Sequence, residues 1–532
     1  MQRMSKSLLV VLLVCGLMVG FAAMGQSWLR VTYSWPTYAD PAVGSDYSSS
    51  STLVNLYDSL VYPTVEGDVK PHLAEVWEAS DDGLTWTFYL RKGIKFHDGT
   101  ELTAQDVVFS MDRLLTIGEG YGYLFLGRVE STEAVDDYTV RFKLAKSFGP
   151  FLTNLVRLYV LNKDLVMANI EDGPYGEYSD YGKRFLLTND AGSAAYTIKE
   201  FPLEEYVLME KFPDYWGNNY MGMIEKDSPD LVKFIATTEA ITVRTMMANQ
   251  ELEISDQWQT EEAFATLGAM DGVDISVYTM GGVFFYMMHT KKAPTDDIHF
   301  RKAIAYAFDH ETAADQFDSW PSHGPVSMGF PGWNEDVYVY ERDLDKAREE
   351  LALSKYADQL NDYPVELHWI TEVPSEEKVA LLFQMNMAEI GIKVNVVRTP
   401  WMSVVDEMAD IDASPNIVTV FVAPHYPEAG SMLESRYHSN SVATWEQNEW
   451  LQDSYVDEVI EDAIATVDVA ERFVKYRELQ RYIVDLCPSL FVFDQVEKHA
   501  YQTYIDWPAA QGEVISVMGY NTDARFIKIL PH

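Results

Sequence analysis

The sequence predicts an α/β fold large enough for several packed cores, and three observations lead there. Segments with strand and helix periodicity alternate along 532 residues, nothing repeats at a fixed spacing, and no low-complexity tract is longer than Ser48–Ser51. Leu29–Tyr33 is apolar and β-rich, and Ser51–Leu60 has helical spacing. After the Asp82-Gly83 turn, Trp86, Phe88 and Leu90 alternate with Thr85, Thr87, Tyr89 and Arg91, the period of a strand buried on one face. Thr103 to Asp106 has capping-box spacing, with Asp in place of the usual Glu or Gln. It opens a helix whose apolar residues are Val107, Val108, Met111, Leu114 and Leu115. Asp343–Leu353 reads as a helix. Ser375–Ile390 reads as another, with Val379, Leu382, Phe383, Met387 and Ile390 at helical intervals and Gly391 as its stop, before a strand over Ile392–Val397.

Residues 1–25 have Arg3 and Lys6, an apolar run from Leu8 to Val19, and small residues around Ala22, Ala23 and Gly25. That is the pattern of a secretory signal peptide cleaved near Gly25, the apolar run being short for a membrane span; an uncleaved anchor is the alternative. Lipidation at Cys15 is disfavoured by the bulky Leu12-Leu13-Val14 before it. Cleavage leaves Cys487 as the one cysteine, so no internal disulfide forms and stability rests on burial. In its apolar setting Cys487 reads as a packed residue rather than a nucleophile.

The net charge is -42, and losing Arg3 and Lys6 takes it to -44 (-42 - 2). Such a surface repels nucleic acid backbones and anionic lipids, so neither is an expected partner. The acids are scattered, which fits a solvated acidic surface suited to a salty habitat. Cation collection is a second reading that charge alone does not support.

Ordered fragments carry a family likeness: Asn55-Leu56-Tyr57-Asp58, Pro71-His72-Leu73-Ala74, Asp82-Gly83, Phe88-Tyr89-Leu90-Arg91, Lys95-Phe96-His97-Asp98-Gly99 and Asp106-Val107-Val108-Phe109-Ser110. Further on come Asp214-Tyr215-Trp216, Phe300-Arg301-Lys302-Ala303-Ile304 with Phe308-Asp309, and Glu389 to Val394, and the likeness runs on to Gln480. This set resembles the peptide, opine and nickel class of extracytoplasmic solute-binding proteins, family 5, the receptors of ABC importers. The resemblance implies a two-lobed periplasmic-binding-protein type II-like fold with an inserted subdomain in the first lobe. The first lobe would take 26–61, 189–290 and 497–532, the insertion 62–188 and the second lobe 291–496, with crossings at Val283–His289 and Leu490–Asp494. It implies a monomer in the periplasm or on the outer face of the cell membrane that closes on a small-molecule solute and docks on membrane permease subunits, with no cofactor.

Four segments are candidates for the cleft. Tyr33, Trp35 and Tyr38 follow the opening strand where the family has a ligand-contacting loop, and Trp258 lies where the family brings a second loop. Aromatics there stack on a solute, or else pack at the strand end. Glu372 and Trp401 follow the strands Val365–Ile370 and Ile392–Val397, at the carboxyl ends where α/β receptors gather ligands. A solvated loop carboxylate is the competing reading for Glu372. The last segment holds Phe421, His425, Tyr426 and Glu428, with Arg436 beyond.

Peptide receptors of the family resembled here have a Trp, then two residues, an Asp that pairs with the peptide ammonium, and an Asp-Pro pair. In this chain Phe421 replaces the Trp, Pro424 or His425 the Asp, and Glu428-Ala429 the Asp-Pro. The usual ammonium anchor is missing, which leaves an oligosaccharide and a peptide-like compound as level readings, with Glu428 a substitute anchor. Arg436 is either a carboxylate or hydroxyl binder or a structural ion pair.

A glycoside-acting enzyme is the weakest alternative, since among 82 acids nothing fixes two at a defined separation, and no Gly-x-Ser-x-Gly or His-Glu-x-x-His motif is present. Eleven histidines lack ligand spacing, so no metal site is expected, though His425 and His438 lie in one region where nickel-binding relatives hold a chelate. A receptor serving a separate sensor or chemoreceptor is the other alternative.

Overall fold

A computed structural model describes residues 26–33 and 38–531. The signal-peptide segment, Cys15 and Trp35 lie outside the described residues.

Three sheets organise the chain. Strand Trp28–Tyr33 pairs in parallel with Leu231–Ala236, and Tyr206–Lys211 and Tyr196–Glu200 continue that sheet antiparallel. A five-stranded sheet runs Val394–Thr399, Val365–Ile370, Ile417–Val422, Val283–Met288, Ser489–Asp494. Its first three strands are parallel and its last two are antiparallel to their neighbours. Every residue of Val283–Met288 and Ser489–Asp494 is buried, which is why both read as unbroken apolar runs rather than alternating ones. The third sheet is antiparallel, in the order Ala74–Ala79, Thr85–Leu90, Thr139–Leu144, Val129–Asp136. The fold is the two-lobed α/β type expected. Among the described residues no helix is long and apolar enough to cross a membrane.

Local expectations meet the structure closely where a cap or a stop is encoded. Helix Ala104–Ile117 starts where Asp106 accepts the Thr103 N–H and hydroxyl, both at 2.9 Å, and ends at left-handed Gly118. Helix Leu344–Leu353 is capped by Asp343, and Glu376–Ala388 is followed by Gly391 at φ 82°. The helix expected over Ser51–Leu60 instead spans Tyr47–Leu56. Asp46 caps it by accepting the Ser49 N–H at 2.9 Å, so the serine run lies inside the helix. Serine is a weak helix former, but Ser48 to Ser51 are all buried here and tertiary packing outweighs propensity.

The fully buried Arg525 ties distant parts of the chain together. Its guanidinium donates to Asp523 at 2.6 Å, Asp58 at 2.9 Å, the Tyr215 hydroxyl at 3.0 Å, His72 Nε2 at 3.2 Å and the Val54 carbonyl at 3.3 Å. Asp58 also accepts the Trp216 indole N–H at 2.8 Å.

Arg525→Met should therefore strand two buried carboxylates and cost about 3–5 kcal/mol in urea unfolding; a loss below about 1 kcal/mol would contradict this role. A second expectation concerns acid. Burial holds the imidazoles of His72, His289 and His310 down at about 4. The unfolded chain protonates them near pH 6.5 (roughly), so it binds more protons than the fold between there and about 4, and stability falls as pH drops through that window. Urea midpoints measured from pH 7 downward should track this fall, with roughly one proton taken up per imidazole on unfolding near pH 5.

Candidate functional site

The parallel strands Val365–Ile370, Val394–Thr399 and Ile417–Val422 deliver Ile370, Trp401 and Phe421 to one place. Facing them are Asp46 and Tyr47, at the start of helix Tyr47–Leu56, and Trp258 from the loop before helix Glu261–Gly268. Glu372, Val373, Glu376, Val420 and Trp445 complete the lining of a small cavity that is open to solvent on one side.

Aromatic rings pack against one another along its walls. Trp258 lies 5.3 Å from Phe421 between ring centroids and meets Tyr47 edge-on at 5.8 Å, while Trp401 and Trp445 meet at 5.4 Å. The Trp445 indole donates to Ser45 Oγ at 3.3 Å, Arg157 Nε to the His425 carbonyl at 3.1 Å, and Lys378 to Glu262 at 2.7 Å.

Three carboxyls line the cavity, and no Lys, Arg or His does among the described residues. Asp46 is held by Ser49, whose N–H and hydroxyl donate at 2.9 and 3.0 Å. Glu372 accepts the Trp401 N–H at 3.0 Å, which fixes the loop against helix Trp401–Met408. Glu376 is fully buried; its Oε2 accepts the Ile370 N–H at 2.9 Å and the Thr419 hydroxyl at 2.7 Å. Its Oε1 has no partner among the described residues, and neither has Trp258 Nε1. Burial pushes the Glu376 carboxyl up to about 8 against those two hydrogen bonds, and neighbouring Glu372 adds to the shift. The carboxyl is therefore neutral at pH 7.

The family model for bacterial extracellular solute-binding proteins, family 5 Middle, matches residues 68–443. A probable D,D-dipeptide-binding periplasmic protein, DdpA, of Escherichia coli is 25% identical over 502 residues, covering 92% of each chain. Among solved structures, Helicobacter pylori DppA in complex with the peptide STSA superposes with a TM-score of 0.83 at 20% identity, covering 95% of this chain and 99% of that one. Bacillus subtilis AppA in complex with a nonapeptide gives 0.81 at 20%, covering 95% and 100%.

Of the residues expected at the cleft, Trp258, Glu372, Trp401 and Phe421 line this cavity. Tyr33 is one layer behind, stacked on Tyr47 at 6.4 Å, and Tyr38 is half-buried outside the lining. The remaining four are corrections, because each already has partners elsewhere. His425 is fully buried, with Nε2 bonded to Glu446 at 2.9 Å and its ring edge-on to Tyr121. Tyr426 is buried beside Glu434. Glu428 accepts from Arg472 at 2.8 Å and from the Tyr476 hydroxyl at 3.0 Å, so it is no substitute ammonium anchor. Arg436 is buried in an ion pair with Glu449 and stacks over Phe285, the structural alternative.

Asp46, Tyr47, Glu376 and Trp445 were not expected here. Glu376 opens a helix, where an acid complements the helix dipole, so spacing gave no reason to single it out. Trp445 lies in a loop that follows no strand, so the strand-end criterion that singled out Trp401 gave no reason to choose it. His438 is bonded to Asn440 N–H at 3.0 Å, and no group of three His, Cys, Asp or Glu among the described residues is placed to hold a metal. The Cys487 thiol is buried and pushed up to about 11, as expected of a packed rather than a nucleophilic cysteine.

Glu428→Gln should cost about 3–5 kcal/mol of stability by leaving Arg472 unpaired, yet leave solute affinity within about twofold. Titration of the folded variant checks both, and a tenfold or greater loss of affinity would return Glu428 to the site.

Proposed function

Since this chain belongs to the bacterial extracellular solute-binding proteins of family 5, a family of binding proteins rather than enzymes, we propose that it closes on a small peptide-like solute in the cavity between Trp258 and Phe421 and hands it to the permease of an ABC importer. The carrying observation is convergence: residues from both sides of the cleft, among them three carboxyls and five aromatic rings, enclose one cavity at the carboxyl ends of parallel strands. The acids offer an ammonium group the partner that the Pro424–His425 segment lacks. The aromatic faces offer apolar area and cation–π attraction.

Relatives bearing peptide-binding names support the peptide-like reading over the oligosaccharide one. So does the lining, which among the described residues has no Asn, Gln, Ser or Thr to hydrogen-bond a row of neutral hydroxyls. In this reading the chain is exported behind a cleaved signal peptide and acts as a monomer. Its first lobe comprises 26–61, 189–290 and 497–532, its insertion 62–188 and its second lobe 291–496. The fully buried strands Val283–Met288 and Ser489–Asp494 carry the chain between lobes, so closure bends the segments at their ends.

Thermal unfolding against dipeptides, oligosaccharides, opines and nickel chelates tests the proposal. Dipeptide-sized amines at about 100 times their dissociation constant should add roughly 2.7 kcal/mol and raise the midpoint by several degrees. Glu372→Gln should weaken binding about tenfold, some 1.4 kcal/mol. A shift with oligosaccharides alone would refute the peptide-like assignment.

A further inference from the structure

We propose that this cavity selects an organic ammonium compound without a free carboxylate, and that Glu376 sets that preference. The proposal rests on the cavity being the solute site and names the class of solute.

An amino acid or free dipeptide brings two charges. Its ammonium finds Asp46, Glu372 and Glu376 in the lining, but its carboxylate finds no Lys, Arg or His there among the described residues. Enclosed beside three acids in a space walled by Trp258, Trp401 and Phe421, a carboxylate is both unpaired and repelled. A cation in the same space gains from the carboxyls and from the ring faces together.

The unpartnered atoms sharpen the choice. Glu376 is fully buried and lines the cavity with Oε1 unpartnered, while Ile370 and Thr419 hold Oε2 in place. Trp258 Nε1 is an unused donor on the facing wall. A solute with an ammonium group and a carbonyl oxygen satisfies both, as an amino acid amide or dipeptide amide does. The titratable groups facing Glu376 are Glu372 on the loop before it and Tyr286 from strand Val283–Met288, with Asp46 across the cavity. Burial, with Glu372 adding to it, favours a neutral Glu376 while the cavity is empty. Entry of an ammonium ion reverses that balance: Glu376 releases its proton to solvent and the carboxylate pairs with the cation.

Calorimetric titration of the full chain at pH about 6.5, in two buffers of different ionisation enthalpy, tests this with alanyl-leucine, alanyl-leucinamide and N-acetylalanyl-leucinamide. The amide should bind at least about tenfold tighter than the free acid, with close to one proton released, and the acetylated probe should not bind. Glu376→Gln should abolish proton release and shrink the preference below about threefold, whereas Glu372→Gln should weaken binding but keep the release. Glu376→Asp retains the carboxyl and should retain the release, which separates loss of the acid from loss of folding. Free acid bound as tightly as amide overturns this inference and leaves the solute site standing. An unchanged preference in folded Glu376→Gln overturns the role of that residue. Failure of all three probes overturns both the inference and the reading beneath it.

Discussion

Arg525 is the point on which the arrangement of segments around residues 54–58, 72, 215–216 and 523 turns. A fully buried guanidinium is tolerated because Asp58 and Asp523 neutralise it and Tyr215, His72 and the Val54 carbonyl take its remaining donors. The pair is no bonus to stability by itself, since desolvation offsets much of the attraction; its value is that no other packing of these segments satisfies the same charges. Asn55 adds to the lock by accepting the Ala524 N–H at 2.9 Å and donating to the Thr522 carbonyl at 3.2 Å. Together they fix helix Tyr47–Leu56, whose opening turn presents Asp46 and Tyr47 to the cavity.

The same geometry explains the family fragments in the sequence. Asn55 to Asp58, Pro71-His72 and Tyr215-Trp216 are far apart in the chain and meet around Arg525. His97 of Lys95–Gly99 bonds to Asp190 and to the Ala194 carbonyl at 3.0 Å. Arg301 of Phe300–Ile304 donates to the Cys487 and Leu486 carbonyls at 2.8 and 2.9 Å, closing the end of helix Val469–Leu486. None of these residues lines the cavity. These fragments supply buried polar fasteners, and the cavity is built from other positions.

This division sets how much was legible. Caps, stops and strand alternation depend on neighbours a few residues away, and helix Ala104–Ile117 and strand Thr85–Leu90 follow their local signals. Helix Tyr47–Leu56 is buried on nearly every side, so it has no amphipathic period from which to read its boundaries. Strand ends singled out Glu372 and Trp401, and the family's segment singled out Phe421; all three line the cavity. The readings of Glu428 and Arg436 depended on partners that spacing does not reveal: Arg472 lies 44 residues beyond Glu428, on another helix. Glu376 is invisible for a related reason, since its distinction is an oxygen left unpaired by the tertiary structure.

The charge of the whole chain and that of the cavity act over different distances. The chain's net charge of -42 attracts cations and repels anions, but exposed charges are screened beyond roughly 10 Å at 0.1 M salt and less far in brine. In a salty medium the surface therefore contributes solubility and little steering. At the cavity, buried Glu376 is shielded from salt, whereas half-buried Asp46 and Glu372 are screened in part. The acidic surface and the acidic cavity therefore act over different ranges and need not share a cause.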